Sequence, residues 1–179
     1  MIQRIQTLWL LLAAVCLGLC FLFPVATFTM DYTDNQQVVT QLDLVAKDGP
    51  HYSKALMAGE PRVELFQAQT DVSMWPMVTM TCLILVLALV CLCFFKKRTL
   101  QMRMTAVAFL LNVVYAFLLF FWAVDAYADR LKELFTQLEP HVSWNVGAFL
   151  PLASLVFFFL AQRAIRKDEM LVRAADRLR

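Results

Sequence analysis

Charged residues are scarce in this sequence. They make up 17% of its 179 residues, and 61% of the residues are hydrophobic, whereas soluble domains average about 25% charged and about half apolar. Glycine occurs only four times and histidine twice, and the sequence contains neither a glycine-rich phosphate-binding loop nor an HExxH metal motif. The composition therefore excludes an ordinary soluble domain and favours a membrane protein.

The apolar residues are concentrated in four runs. About 20 apolar residues are needed to cross the hydrocarbon layer as a helix, and a helix satisfies its own backbone hydrogen bonds, which lipid cannot do. Within each run the apolar residues are continuous, so a helix there has no polar face to offer to water. We predict a single integral membrane domain over residues 1–179. Its four transmembrane spans cover residues 5–26, 75–95, 104–124 and 144–161.

The first run resembles a secretory signal, because Arg4 precedes an apolar stretch. The stretch is longer than the apolar region of a usual signal, and Pro24-Val25-Ala26 does not form a small-residue cleavage site. We therefore expect the first run to remain in the protein as a span.

Charge is distributed unevenly among the segments that connect the runs. The N-terminus, residues 96–103 and the tail from Arg163 together hold eleven Lys and Arg against three Asp and Glu. Residues 28–74 and 125–143 hold five Lys and Arg against eleven Asp and Glu. Because Lys and Arg accumulate on the cytoplasmic side, we predict that both termini and the 96–103 loop are cytoplasmic and that the two acidic segments face outward.

The charged tail follows the fourth run without a helix breaker. Residues 163–179 contain neither Gly nor Pro, and their charges recur at steps of three and four residues, where side chains meet on a helix. We predict that the last span continues as a helix for about four turns. This tail is either a solvated extension or a docking surface for the 96–103 loop, for anionic lipid or for a protein partner. Its candidate interaction residues are Asp168, Glu169, Arg173, Asp176, Arg177, Lys96, Lys97 and Arg98.

The first acidic segment, residues 28–74, has the patterns of β-strands. Residues 37–46 alternate between two faces and are rich in β-branched residues, which is typical of a strand. Residues 62–69 and 26–32 are further candidate strands. We predict a small antiparallel sheet in this segment, and a helix in residues 125–139, where leucines recur at helical spacing.

Chemically active residues are few in the predicted spans and loops. All five cysteines fall in spans, where free cysteine usually packs as a small hydrophobe, and His51 and His141 lie in separate segments. No ionisable residue lies at mid-membrane, where one would indicate ion or proton transport. We predict no catalytic, cofactor-binding or metal-binding residue. Asn112 and Tyr115 are the main polar residues inside a span, and Asn112 is expected to make an interhelical hydrogen bond.

Two stretches resemble a known family. MIQRIQTLWLLLA at residues 1–13 and GAFLPLASLVFFFLAQRAIRKDEMLVRAADRLR at residues 147–179 are similar to DUF4293, a family of uncharacterised four-span proteins from the Bacteroidetes. The resemblance covers the whole chain and implies a bacterial inner-membrane location, but it implies no activity. The predicted fold is a four-helix transmembrane bundle with a small antiparallel sheet, a layout similar to that of claudins without their Trp-bearing motif and cysteine pair. Fold similarity of this kind does not carry function.

We therefore expect a non-enzymatic inner-membrane subunit or scaffold. Its expected partners are the bilayer and either another membrane protein or further copies of the chain. No nucleic-acid partner is expected, since the KKR cluster at residues 96–98 follows from the charge asymmetry alone. One alternative is a small channel or transporter that works as an oligomer. Another is an enzyme that acts on lipid at the outer interface through Asp125, Asp129 and His141.

Overall fold

The computed structural model describes residues 3–33, 36–44, 56–57, 74–94, 98–134 and 139–177. The described chain is mostly helical and carries one small sheet. The helices are α1 (Gln3–Leu19), α2 (Trp75–Cys93), α3 (Arg98–Leu118), α4 (Val124–Leu134) and α5 (Val146–Arg177). The strands are β1 (Ala26–Thr33), β2 (Gln36–Leu42), β3 (Leu56–Met57) and β4 (His141–Trp144).

Three helical segments among the described residues are long and apolar enough to cross a membrane. They are Trp75–Cys93, Thr99–Glu133 and Val146–Val172, and their most apolar windows are only 28%, 39% and 33% buried. A fourth apolar helix, Ile5–Leu19, is shorter. Most of the surface of these helices is therefore apolar and exposed.

Helix α1 ends at Leu19, although the apolar run continues to Ala26. Pro24 has no N–H to donate, and it disfavours the helical conformation of the residue before it. The chain turns after Leu19 and enters β1 at Ala26. The helix is consequently shorter than the predicted span at residues 5–26.

The chain divides into two compact units. Unit 1 comprises Met1–Leu19, Thr79–Ala116 and Leu150–Arg179, and unit 2 comprises Cys20–Val78 and Phe117–Phe149. The described parts of unit 1 are helical, whereas unit 2 contains the sheet and α4.

Each helix of unit 1 buries one narrow stripe. The buried positions follow one another in steps of three and four residues, which is the 3.5-residue period of coiled-coil packing. On α3 they include Gln101, Thr105, Ala108, Asn112 and Tyr115. On α5 they are Pro151, Ser154, Phe158, Ala161, Ile165 and Asp168. The amides and hydroxyls thus lie in the seams, together with small and some large apolar residues, and the exposed faces are largely apolar.

The sheet of unit 2 has the order β3-β2-β1-β4, and its pairs are antiparallel. The register pairs Ala26 with Leu42 on one side and with Trp144 on the other. The predicted antiparallel sheet is therefore present, but its fourth strand comes from the second acidic segment, where only a helix was predicted. The candidate strand at residues 62–69 lies outside the described residues.

Helix α4 contacts β1 through one pair of aromatic rings. The rings of Phe28 in β1 and Tyr127 in α4 are 4.9 Å apart, and both side chains are buried.

A π-helical turn at Leu119–Ala123 leads into α4. Its wider turn takes up an extra residue. Leu119, Ala123 and Tyr127 follow one another at steps of four residues and are all buried. The five charged residues of α4 are exposed: Asp125, Asp129, Arg130, Lys132 and Glu133.

Candidate functional site

A buried polar cluster joins α3 to α5 inside unit 1. The amide nitrogen of Asn112 donates to the Ser154 hydroxyl oxygen at 2.6 Å and to the Pro151 carbonyl oxygen at 3.3 Å. The Ser154 hydroxyl in turn donates to the same carbonyl at 2.7 Å. Asn112 and Ser154 are completely buried. The interhelical contact of Asn112 is therefore made with a hydroxyl and a backbone carbonyl of the last helix.

One acceptor in this cluster is not used. The side-chain carbonyl oxygen of Asn112 is buried and accepts no hydrogen bond within the described parts of the chain. Leaving such a group unsatisfied costs about 1–3 kcal/mol. Tyr115, the second polar residue singled out in the sequence, is also fully buried and lies one turn further along the same stripe of α3.

A second polar contact joins α2 to α3. The Gln101 amide nitrogen donates to the Cys91 carbonyl oxygen at 3.2 Å, and the Thr105 hydroxyl donates to the Gln101 carbonyl oxygen at 2.8 Å. All three residues are buried. Hydrogen bonds of this kind hold neighbouring helices together where no water can compete.

A third contact joins α1 to α5. The Gln6 amide nitrogen donates to the Ala164 carbonyl oxygen at 3.3 Å, and the rings of Trp9 and Phe157 stack with centroids 6.0 Å apart. Sequence reasoning did not single out Gln6, Gln101 or Thr105. Gln101 and Thr105 could have been recognised from the sequence. They lie four residues apart, and Asn112 follows seven residues later, so all three fall on one side of a helix.

The predicted interaction residues of the tail separate in the structure. Asp168 is buried at the end of the α5 stripe, with 8% of its surface exposed, and Glu169 is half-buried. Arg173, Asp176 and Arg177 belong to α5, but their side chains lie outside the described part. Lys96 and Lys97 lie outside the described residues, and Arg98 is the first residue of α3. Three other cations of α5 are exposed instead: Arg163, Arg166 and Lys167.

The candidate catalytic residues of unit 2 lie on exposed surfaces. Asp125 is exposed on α4, and Asp129 pairs with Lys132 at 3.8 Å. His141 begins β4, and its carbonyl oxygen accepts a hydrogen bond from the Thr29 hydroxyl at 3.4 Å. Within the described ranges, no group of three or more His, Cys, Asp or Glu side chains is arranged to hold a metal ion.

The start of α5 packs tightly against the start of β1. The Gly147 N–H donates to the Pro24 carbonyl oxygen at 3.1 Å, and the Asn145 amide nitrogen donates to the Thr27 hydroxyl at 2.6 Å. A Cβ at Gly147 would lie 2.6 Å from the Phe23 carbonyl oxygen and closer still to that of Pro24. Only glycine therefore fits at this position.

The arrangement of polar and apolar side chains defines the class of protein. Amides and hydroxyls lie in the packing seams, whereas large apolar residues such as Leu110 and Phe159 are exposed on the helices. Apolar surfaces of this extent are rare on soluble monomers, and three helices among the described residues have the length and hydropathy of membrane spans. This is a membrane protein.

The chain belongs to the family described as Domain of unknown function (DUF4293), whose model matches residues 2–178. The family resemblance of the two terminal stretches is thereby confirmed. No protein with a curated description matches the chain.

Proposed function

We propose that this chain is a non-enzymatic protein of the bacterial inner membrane that crosses it four times and serves as a subunit or scaffold of a larger membrane complex. The four crossings are α1, α2, the helical segment Thr99–Glu133, and α5. With 17 residues, α1 is about 26 Å long, which is close to the hydrocarbon thickness of about 30 Å.

The charge of each unit supports the orientation. Unit 1, which includes both termini, holds eleven Lys and Arg against three Asp and Glu. Unit 2 holds five Lys and Arg against eleven Asp and Glu. The positive-inside rule assigns the basic segments to the cytoplasm, so both termini are cytoplasmic in this proposal. A reporter fused after Arg179 is expected to be active only in the cytoplasm.

The length of α5 is the observation that carries the proposed scaffold role. The helix has 32 residues and is about 48 Å long, so it extends well beyond the hydrocarbon layer. Beyond its cations it exposes three consecutive apolar side chains, Met170, Leu171 and Val172, of which Met170 is 64% exposed. Because apolar surface in water is unfavourable, a helix that presents it outside the membrane is suited to a protein partner.

Co-purification tests the scaffold role. The full chain, extracted in mild detergent, is expected to elute with a partner at fixed stoichiometry, and mass spectrometry identifies that partner. The double variant Met170→Gln/Leu171→Gln is expected to lose it, whereas Arg130→Gln/Lys132→Gln, at exposed positions of α4, retains it. A wild-type chain that elutes alone as a monomer would contradict the proposal.

A small channel is the second candidate, because unit 1 buries polar side chains along its helices. Thr81, Thr105, Asn112 and Ser154 are completely buried. A conducting oligomer would show ion flux in liposomes that Asn112→Leu abolishes and Val113→Leu leaves unchanged. Lipid turnover that is lost in Asp125→Asn would instead favour an enzyme.

A further inference from the structure

Helix α5 has a continuous exposed face opposite its buried stripe. This face begins with apolar residues and changes to cations after about two turns. Its apolar part consists of Leu152, Val156 and Phe159. Its cationic part consists of Arg163, Arg166 and Lys167. The steps of three and four residues between these positions keep them on one side of the helix.

Among the side chains that the structure describes, none that is acidic pairs with the cations on this face. Asp168 follows Lys167 directly but is buried on the opposite side of the helix, and Glu169 is half-buried. Across the described residues, no ion pair involves Arg163, Arg166 or Lys167. The face therefore presents three positive charges next to exposed apolar side chains.

We propose that this face binds an anionic phospholipid. Its acyl chain lies along Leu152, Val156 and Phe159, and its phosphate lies against Arg163, Arg166 and Lys167. The inference rests on the proposed crossing of the membrane by α5. It adds to that proposal a class of lipid and the side chains that select it.

The dimensions of the helix agree with those of a phospholipid. The 17 residues from Val146 to Gln162 extend about 26 Å, which brings Arg163 to the level of the headgroups. The three cations lie within about one turn, so a single phosphate is within reach of more than one of them. Arginine offers a planar pair of donors that matches phosphate oxygens, and long basic side chains keep apolar stems along the acyl chain.

The chemistry of the face selects an amphiphile with negative charge. A zwitterionic lipid also offers a phosphate, but the cation of its headgroup offsets that charge, and a free phosphate ion satisfies only the cations of the face. Near a membrane surface each Lys or Arg strengthens binding to anionic lipid about fivefold. Two cations together therefore contribute a preference of roughly 25-fold at low salt.

Lipid retention by the full-length protein tests the proposal. The protein is reconstituted in phosphatidylcholine vesicles that contain phosphatidylglycerol, extracted gently, and examined by native mass spectrometry for the lipid that stays bound. Wild type is expected to retain phosphatidylglycerol over phosphatidylcholine. The variant Arg166→Gln/Lys167→Gln is expected to lose that preference by roughly 25-fold, and the single variant Lys167→Gln by about fivefold.

The control variant removes the same number of positive charges from a different helix. Arg130→Gln/Lys132→Gln neutralises one arginine and one lysine that are exposed on α4, and it is expected to leave the preference unchanged. Gel filtration of each variant checks that it is folded, and Arg166→Lys is expected to retain most of the preference because the charge remains.

Four outcomes would overturn the proposal. The preference for phosphatidylglycerol survives in both Gln variants, or it falls equally in the control. Inorganic phosphate displaces the lipid as effectively as phosphatidylglycerol vesicles do, which would identify a plain phosphate site. Lipid retention is unchanged while a co-purifying protein is lost, which would identify a protein contact. A C-terminal reporter that is active outside the cytoplasm would contradict the proposed orientation, and it would leave the lipid result to be judged separately.

Discussion

The side-chain amide of Asn112 and the hydroxyl of Ser154 lie 2.6 Å apart and join two helices whose contributing residues are 42 positions apart in the sequence. Ser154 also donates to the Pro151 carbonyl, so it remains hydrogen-bonded when Asn112 is removed. Replacing Asn112 therefore removes the hydrogen bond between the two helices, while the Ser154 hydroxyl keeps its own acceptor.

Replacing Asn112 by leucine is expected to lower the stability of unit 1. Interhelical hydrogen bonds in membrane proteins contribute about 0.6 kcal/mol on average and up to about 1.7 kcal/mol, and we expect a loss in this range. Thermal unfolding in detergent, followed by circular dichroism, measures the effect. Val113→Leu, one residue further on the exposed side of α3, is the control. An equal decrease in both variants would assign the effect to helix packing in general.

Replacing Gly147 by alanine is expected to disrupt the junction between β1 and α5. The added Cβ meets the backbone oxygens of Phe23 and Pro24, which cannot move as a flexible side chain can. We expect a cost of about 1–3 kcal/mol, as for other overpacked sites. Gly18→Ala is the matched control, because a Cβ at Gly18 meets nothing within 4 Å. That variant should unfold at the wild-type temperature or slightly above it, since alanine favours helix.

The hydrogen bond from the Asn145 side-chain amide to the Thr27 hydroxyl is expected to stabilise the same junction between β1 and α5. A double-mutant cycle with Asn145→Ala and Thr27→Val isolates the pair. We expect a coupling free energy of about 0.5–1.5 kcal/mol, which is typical of a neutral hydrogen bond. Strictly additive effects of the two substitutions would show that the 2.6 Å contact contributes nothing to stability.

Removing the Phe28 ring is expected to separate α4 from the sheet. Phe28 is completely buried and its ring contacts that of Tyr127, so truncation leaves a cavity in unit 2. Phe→Ala substitutions at such positions cost about 3–5 kcal/mol. Phe149→Ala removes the same atoms from an exposed position and should change the stability by less than about 0.5 kcal/mol. Protease resistance of the reconstituted protein compares the two variants.

Local pattern predicts much of the secondary structure. The absence of Gly and Pro after Pro151 predicts the long last helix, and α5 indeed continues to Arg177. Alternation predicts a strand where β2 lies, and residues 26–32 were a further candidate strand where β1 lies. β4 has only four residues, too few for a period to be recognised, and its partner in β1 lies more than 100 positions away in the sequence.

The candidate sites were less predictable than the elements. Asn112 was recognisable because an amide is rare inside an apolar run. Nothing in the local sequence shows that Ser154 and Pro151 face it, or that Asp168 turns inward while Arg166 and Lys167 remain exposed. Which side of a helix is covered depends on its neighbours, and an apolar run offers no polar side to indicate the answer.

Composition and run length by themselves determined that this chain belongs in a membrane, because a segment of that length without charge is unfavourable in water. Charge counting by itself determined the expected orientation. Only the tertiary structure decided which residues of each uniformly apolar helix form the seam, and that Gly147 must be glycine. Those outcomes depend on atoms brought together from distant parts of the chain, and their contacts have no signature in the local sequence.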